Sequence, residues 1–200
     1  RDKGQVMKAF ALDQYQAKKE EWKTGGPVYE KEQKITRAFP DRADVKYGFN
    51  MGFERFFADS LGVVSYLFTV YEYTGGANGN TGVNSYCFHG DNRRGEIEDI
   101  LDFSGYKDIQ LSRILANRAL SDTTLFFKDF VETGLGLSYL KSDGVTLDKA
   151  KCGCDGYFFG SNFQTFVVEN RGITFYFSKY AIAPGAAGIT HITLSWEDLR

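Results

Sequence analysis

Residues Val63 to Tyr73 alternate without a break between two sets of side chains, and that pattern constrains the fold more than any other stretch of the chain. Val64, Tyr66, Phe68 and Val70 fall on one side of an extended strand; Ser65, Leu67, Thr69 and Tyr71 fall on the other. A period of two suits a strand and not a helix. Both sides carry large residues, so the strand is expected at the centre of a sheet, covered on both faces. Gly75-Gly76-Ala77-Asn78-Gly79-Asn80 breaks the pattern, and Val83 to His89 reads as the returning strand. Val45 to Phe57 alternates more loosely and is read as a further strand.

Helical spacing appears elsewhere. Lys3 to Lys23 lacks proline, is rich in Ala, Lys, Glu and Gln, and reads as an N-terminal helix stopped by Gly25-Gly26-Pro27. A polar connection over residues 28–42 follows it. Ile109, Leu111, Ile114, Leu115 and Ala119 recur at helical intervals, with Asp108 placed as their N-cap. A second short helix is expected over Thr123 to Thr133, and a surface loop over residues 141–156. Strands return at the end. Phe163 to Glu169 and Ile173 to Lys179 flank Asn170-Arg171-Gly172, which is hairpin chemistry, and Ile189 to Trp196 forms a last strand. The order of helix, strands, central helices and C-terminal strands predicts an α+β fold with an antiparallel sheet. One unit over residues 1–200 is expected, its N-terminal half (about 1–90) and C-terminal half (about 91–200) sharing a core.

Charge narrows the function classes. A net charge of −2 gives no electrostatic reason to bind nucleic acid. No apolar run is long enough to span a bilayer, so a membrane link is expected only through an anchor missing from this chain, which opens on Arg1. Three cysteines, Cys87, Cys152 and Cys154, leave a disulfide open within the Cys152-Gly153-Cys154 triplet or from it to Cys87. A lone Cys-x-Cys with no nearby His makes a poor metal site, and neither metal nor cofactor is expected.

Catalytic constellations are weak. Ser104 and Lys107 match Ser-x-x-Lys, and Lys23-Thr24-Gly25 matches Lys-Thr-Gly, but their order is reversed and no Ser-Asp-Asn accompanies them. His89 and His191, the only imidazoles, are read as structural. Glu96, Glu98, Asp99 and Asp102 form an acidic cluster that would suit general acid–base work, yet acids at a helix start are expected from the helix dipole alone. The stronger feature is the glycine loop. Gly75 and Gly76 let backbone amides approach a ligand, Asn78 and Asn80 supply donors and acceptors, and Tyr73 and Tyr86 stand ready to stack. Those six residues are the candidate binding site, weighed against a plain hairpin turn.

Three stretches carry a resemblance. Tyr73 to Gly79 looks like a Tyr-x-Gly-Gly-Ala-His segment, with Asn78 in place of the usual His; Gly95 to Leu101 resembles a turn into a helix. Most specific is Gly172-Ile173-Thr174-Phe175-Tyr176-Phe177-Ser178-Lys179-Tyr180-Ala181-Ile182-Ala183-Pro184-Gly185-Ala186-Ala187-Gly188: an aromatic strand, Tyr-x-Ile-Ala-Pro, then Ala-Ala-Gly. Together they resemble the extracytoplasmic family of unknown function found in the anti-sigma factor RsiV, in the non-catalytic region of the peptidoglycan deacetylase PdaC and in many bacterial lipoproteins. The resemblance implies secretion across the cytoplasmic membrane, a periplasmic or lipid-anchored cell-surface location, and non-enzymatic recognition. The implied partner is a protein such as lysozyme or a peptidoglycan-derived glycan. The alternative from the residues is a wall or glycan hydrolase that uses the acidic cluster.

Overall fold

The alternating segment forms strand β2, Val63–Tyr73, with the bounds its pattern predicts. The computed structural model describes residues 48–73, 79–91, 93–101, 108–121, 124–153 and 162–200. The N-terminal helix and the polar connection after it lie outside them. Strand β1 is Gly48–Ala58, β3 is Asn80–His89 and β4 is Arg94–Gly95, and they make a four-stranded sheet in the order β1-β2-β3-β4. β2 is therefore internal, as expected. Cover on both faces holds only for its first half: Ser65, Tyr66, Leu67 and Phe68 are buried, whereas Thr69 and Tyr71 are exposed. Beyond His89, Arg94 and Gly95 pair with Phe88 and Cys87.

A three-stranded antiparallel sheet follows, in the order β5-β6-β7, built from Phe166–Glu169, Gly172–Phe177 and Thr190–Ser195. Asn170 and Arg171 close the predicted hairpin, with Glu169 opposite Gly172. The architecture is α+β. Gly172 is required by close approach: a Cβ there would run into the Leu194 carbonyl of the neighbouring strand.

Among the described residues there are four α-helices: α1 (Ile97–Ile100), α2 (Asp108–Leu120), α3 (Lys128–Gly134) and α4 (Lys149–Cys152). Helix α2 buries Leu111, Leu115, Ala116 and Ala119, the stripe its periodicity predicts, and Asp108 sits in its first turn. The next helix begins at Lys128, later than expected; Phe127 before it is extended, and Phe126 is drawn into the core without helical backbone. The predicted loop over 141–156 contains α4, capped by the Asp148 side chain, and a tight turn in which Leu140 pairs with Leu147. Cys152 is disulfide-bonded and Cys87 is a free, buried thiol, so the Cys87 pairing is ruled out; Cys154 lies outside the described residues.

The chain divides into two units, Arg1–Asn50 with Tyr71–Asn80, and Met51–Val70 with Thr81–Arg200. The second contains the core. There Ile173, Phe175, Phe177, Ile192 and Leu194 of the three-stranded sheet meet Leu111, Leu115 and Val131 of the helices, joined by Ala58, Val63 and Cys87 of the first sheet. Strand β5 would be an open edge, since its pairing with β6 leaves the Phe166 and Val168 amides pointing outward. Serines close it. Ser85 Oγ accepts from Phe166 N at 2.7 Å and Ser65 Oγ from Val168 N at 2.9 Å, both buried. The Cys87 thiol donates to the Phe166 carbonyl at 3.7 Å, which leaves the Ser65 hydroxyl to donate to Cys87 Sγ at 3.2 Å. One face of the first sheet is thus committed to holding β5.

Candidate functional site

The opposite face of that sheet is aromatic. Because Ser65 and Leu67 point toward β5, alternation sends Tyr66 and Phe68 the other way, and Tyr86 and Phe88 of β3 follow them. Tyr66 meets Phe88 edge-on at 6.1 Å, and Phe68 meets Tyr86 edge-on at 5.8 Å. Phe53 of β1 lies over this layer, stacked on Phe68 at 5.9 Å and tilted against Tyr66 at 6.4 Å. Tyr66 and Phe68 are thereby buried, while Phe53 itself stays 65% exposed. Ring centroids 4.5–7 Å apart and offset or edge-on are the favourable geometry for aromatic pairs.

Cations border the rings. The Arg94 guanidinium stands over the Tyr86 ring at 5.1 Å, and that of Arg55 over Phe57 at 4.7 Å. Arg94 also pairs with Glu96 at 3.4 Å. Burial pushes the Tyr86 hydroxyl above its ordinary pKa, with Arg94 pulling it back, so Tyr86 presents a neutral O–H donor. The result is a layer of aromatic rings with phenol and guanidinium groups at its border.

Of the predicted site residues, Tyr86 stands on this face. Tyr73 ends β2 half-buried and Asn80 opens β3 exposed, both in the first unit. Gly75, Gly76 and Asn78 lie outside the described residues. Within the same unit the Tyr71 ring lies against Gly79, where any Cβ would collide with it. Phe53 and Arg94 were not anticipated. Their signal was present, because Phe53, Arg55 and Phe57 fall in one phase of the β1 alternation while Phe56, in the other, packs toward Leu67 and Val167.

Two of the acidic residues, Glu96 and Asp99, are engaged locally. Asp99 Oδ2 accepts from the Glu96 amide at 2.9 Å, reaching back to the start of α1, and Asp99 Oδ1 accepts from Arg93 at 2.9 Å. The Glu96 amide and the Arg93 guanidinium together hold Asp99 below its ordinary pKa, the reverse of what a general acid needs. Glu98 is exposed, and Asp102 lies outside the described residues, as do Ser104, Lys107 and Lys23-Thr24-Gly25. His89 ends β3 with its ring against Gly95, and His191 is exposed and tilted on Tyr176 at 5.7 Å. No group of three or more His, Cys, Asp or Glu among the described residues is placed to hold a metal, and no described helix is long and apolar enough to cross a membrane.

Comparison with known proteins places the C-terminal part. Residues 155–197 match the family described as "Protein of unknown function (DUF3298)", a stretch that includes the Gly172–Gly188 motif. Over this segment the chain is similar to DUF3298 proteins. A crystal structure of a DUF3298 member from Bacteroides fragilis is 22% identical with a TM-score of 0.52, over 98% of this chain and 68% of that one. At that identity the likeness speaks for the fold. A DUF3298 protein from Pseudomonas aeruginosa is 16% identical with a TM-score of 0.45, over 82% of this chain and 66% of its own. No curated protein matches the chain.

Proposed function

We propose that this DUF3298-containing chain is a non-enzymatic recognition domain of a bacterial envelope protein, exported across the cytoplasmic membrane, with the aromatic face of the four-stranded sheet as its ligand surface. The observation that carries the reading is Phe53, a large ring 65% exposed yet fixed by stacking on Phe68 and Tyr66. A ring already ordered loses little entropy on binding, and aromatic anchors with an adjacent arginine are the usual centres of binding energy. The same ring faces suit the C–H surfaces of a glycan and the side chains of a protein such as lysozyme. The test separates those ligands by titrating the folded chain with lysozyme and with soluble peptidoglycan fragments. Phe53→Ala is expected to weaken the productive titration by about thirtyfold, the equivalent of about 2 kcal/mol, with an unchanged melt. Tyr73→Ala with Asn78→Ala asks the same of the glycine loop. Unchanged affinity in folded Phe53→Ala, or release of reducing ends from peptidoglycan by the wild-type chain, would overturn the reading.

A further inference from the structure

A second concave feature lies away from the aromatic rings, between α2, α3 and the turn after Leu140. It is a cleft of about 290 Å³ whose floor includes Leu137 and Leu140 and whose polar lining includes Arg113, Asn117, Glu132 and Lys141. That volume is at the small end for ligand sites and fits a monosaccharide or a dipeptide. Arg113 and Asn117 are four residues apart on α2 and so share one helix face. Arg113 is held in place by donating to the Gly144 carbonyl, and the backbone at Lys141 is anchored by its amide donating to the Thr146 carbonyl at 2.8 Å.

The charges of this cleft do not cancel. Glu132 is paired with Lys128 at 3.7 Å, one helical turn earlier. Asp143, close to Lys141 in sequence, spends its carboxylate on its own turn, accepting from the Val145 amide at 2.9 Å and the Thr146 amide at 2.8 Å. Arg113 and Lys141 form no salt bridge among the described ion pairs, although the Lys141 ammonium also acts electrostatically on the Asp143 carboxylate. Arg113, Lys141 and Glu132 sum to one positive charge on the lining. A guanidinium held on Gly144, an ammonium on the same lining, an amide that can both donate and accept, and a small apolar floor are the complement of one carboxylate on a compact neutral body.

We propose that this cleft binds a compact monocarboxylate, with Arg113 and Lys141 holding the carboxylate and Asn117 reading a neighbouring amide. Two sources carry that chemistry: the C-terminus of a short peptide, and a sugar bearing a lactyl carboxylate. The site is independent of the aromatic face. The test follows backbone amide shifts of the folded chain during titration with acetyl-alanyl-alanine and with N-acetylmuramic acid. The uncharged counterparts are the dipeptide amide and N-acetylglucosamine, and inorganic phosphate controls for bare charge. Shifts at Arg113, Asn117 and Lys141 are expected from at least one acid, with its neutral counterpart weaker by about tenfold or more. Lys141→Met, which leaves the Arg113–Gly144 contact intact, is expected to cost about tenfold. Binding by the peptide acid alone or the sugar acid alone names the source. Equal shifts from acid and neutral compound, phosphate binding as tightly as either acid, or no response at the cleft would each overturn the proposal.

Discussion

The chain uses one residue type in two opposite ways. In the three-stranded sheet, Phe175 is fully buried, edge-on to Phe163 at 6.0 Å and tilted on Phe166 at 6.3 Å. In the four-stranded sheet, Phe53 makes ring contacts at similar distances and remains largely in water. Ring contact alone therefore does not mark a core residue. What separates the two is the layer beyond the ring: Phe175 has helix residues of the main core above it, whereas Phe53 is itself the outermost layer described. A sheet face that ends on an ordered, exposed ring differs physically from one that ends under helices, and only the first is free to meet a ligand.

The largest expected effect tests the buried side of that contrast. Phe175→Ala should destabilise by about 3–5 kcal/mol, because the loss of transfer energy is joined by a cavity that fixed neighbours cannot fill. Chemical denaturation measures it, and a loss below about 1 kcal/mol would place Phe175 outside a close-packed core. A smaller loss is expected at the joint between the sheets. Ser65→Ala deprives the buried Val168 amide of its acceptor, which costs about 1–3 kcal/mol, and the amide should lose protection against hydrogen exchange. Unchanged exchange at Val168 would mean that the edge is closed by something other than the serine.

Strand positions were largely legible in the sequence, and the reasons are local. Val63–Tyr73 alternates strictly and Asn170-Arg171 closes a short turn, so period and turn chemistry were sufficient. Helix α3 starts later than its composition suggests because Thr123 to Phe127 satisfies helical composition, while Phe126 is buried in the core and Phe127 is extended. The roles of Ser65 and Ser85 were hidden for a different reason. Their partners are amides 103 and 81 residues away in sequence, and no local pattern encodes such a pairing. The candidate surface was half legible. Tyr86 was named for flanking a loop, yet it matters here as the ring beneath Arg94, a relation set by the Phe88–Arg94 register.

Cys87 reports on the covered face of the first sheet without any change of packing. Burial pushes its thiol up to about 11, with the Ser65 hydrogen bond opposing that shift. A raised thiol pKa means the native state keeps a proton that the unfolded chain releases near its ordinary value of 9. The stability linked to it is therefore complete below about pH 9 and falls between pH 9 and about 11. The check is the difference between wild type and Cys87→Ala in urea midpoints across that window. Parallel pH profiles would show that the thiol is more open to water than the fold implies.

The smallest expected effect on stability belongs to Phe53, and it decides the comparison. At 65% exposure its truncation removes little buried area, so the loss reduces to the stacking on Phe68 and Tyr66. Such pairs are worth about 0.5–1.5 kcal/mol beyond burial, and water on the outer side of the ring puts Phe53→Ala at the lower end. Phe53→Leu should fall between wild type and alanine in stability, since it keeps apolar cover over Phe68 without the ring. In binding, by contrast, leucine should behave like alanine, because the ring face and not the area is what a stacked ligand meets. Stability and affinity should therefore rank the three side chains differently. A loss approaching that of Phe175→Ala would mean that Phe53 is a core residue after all, and the contrast between the two sheets would vanish together with the proposed ligand surface.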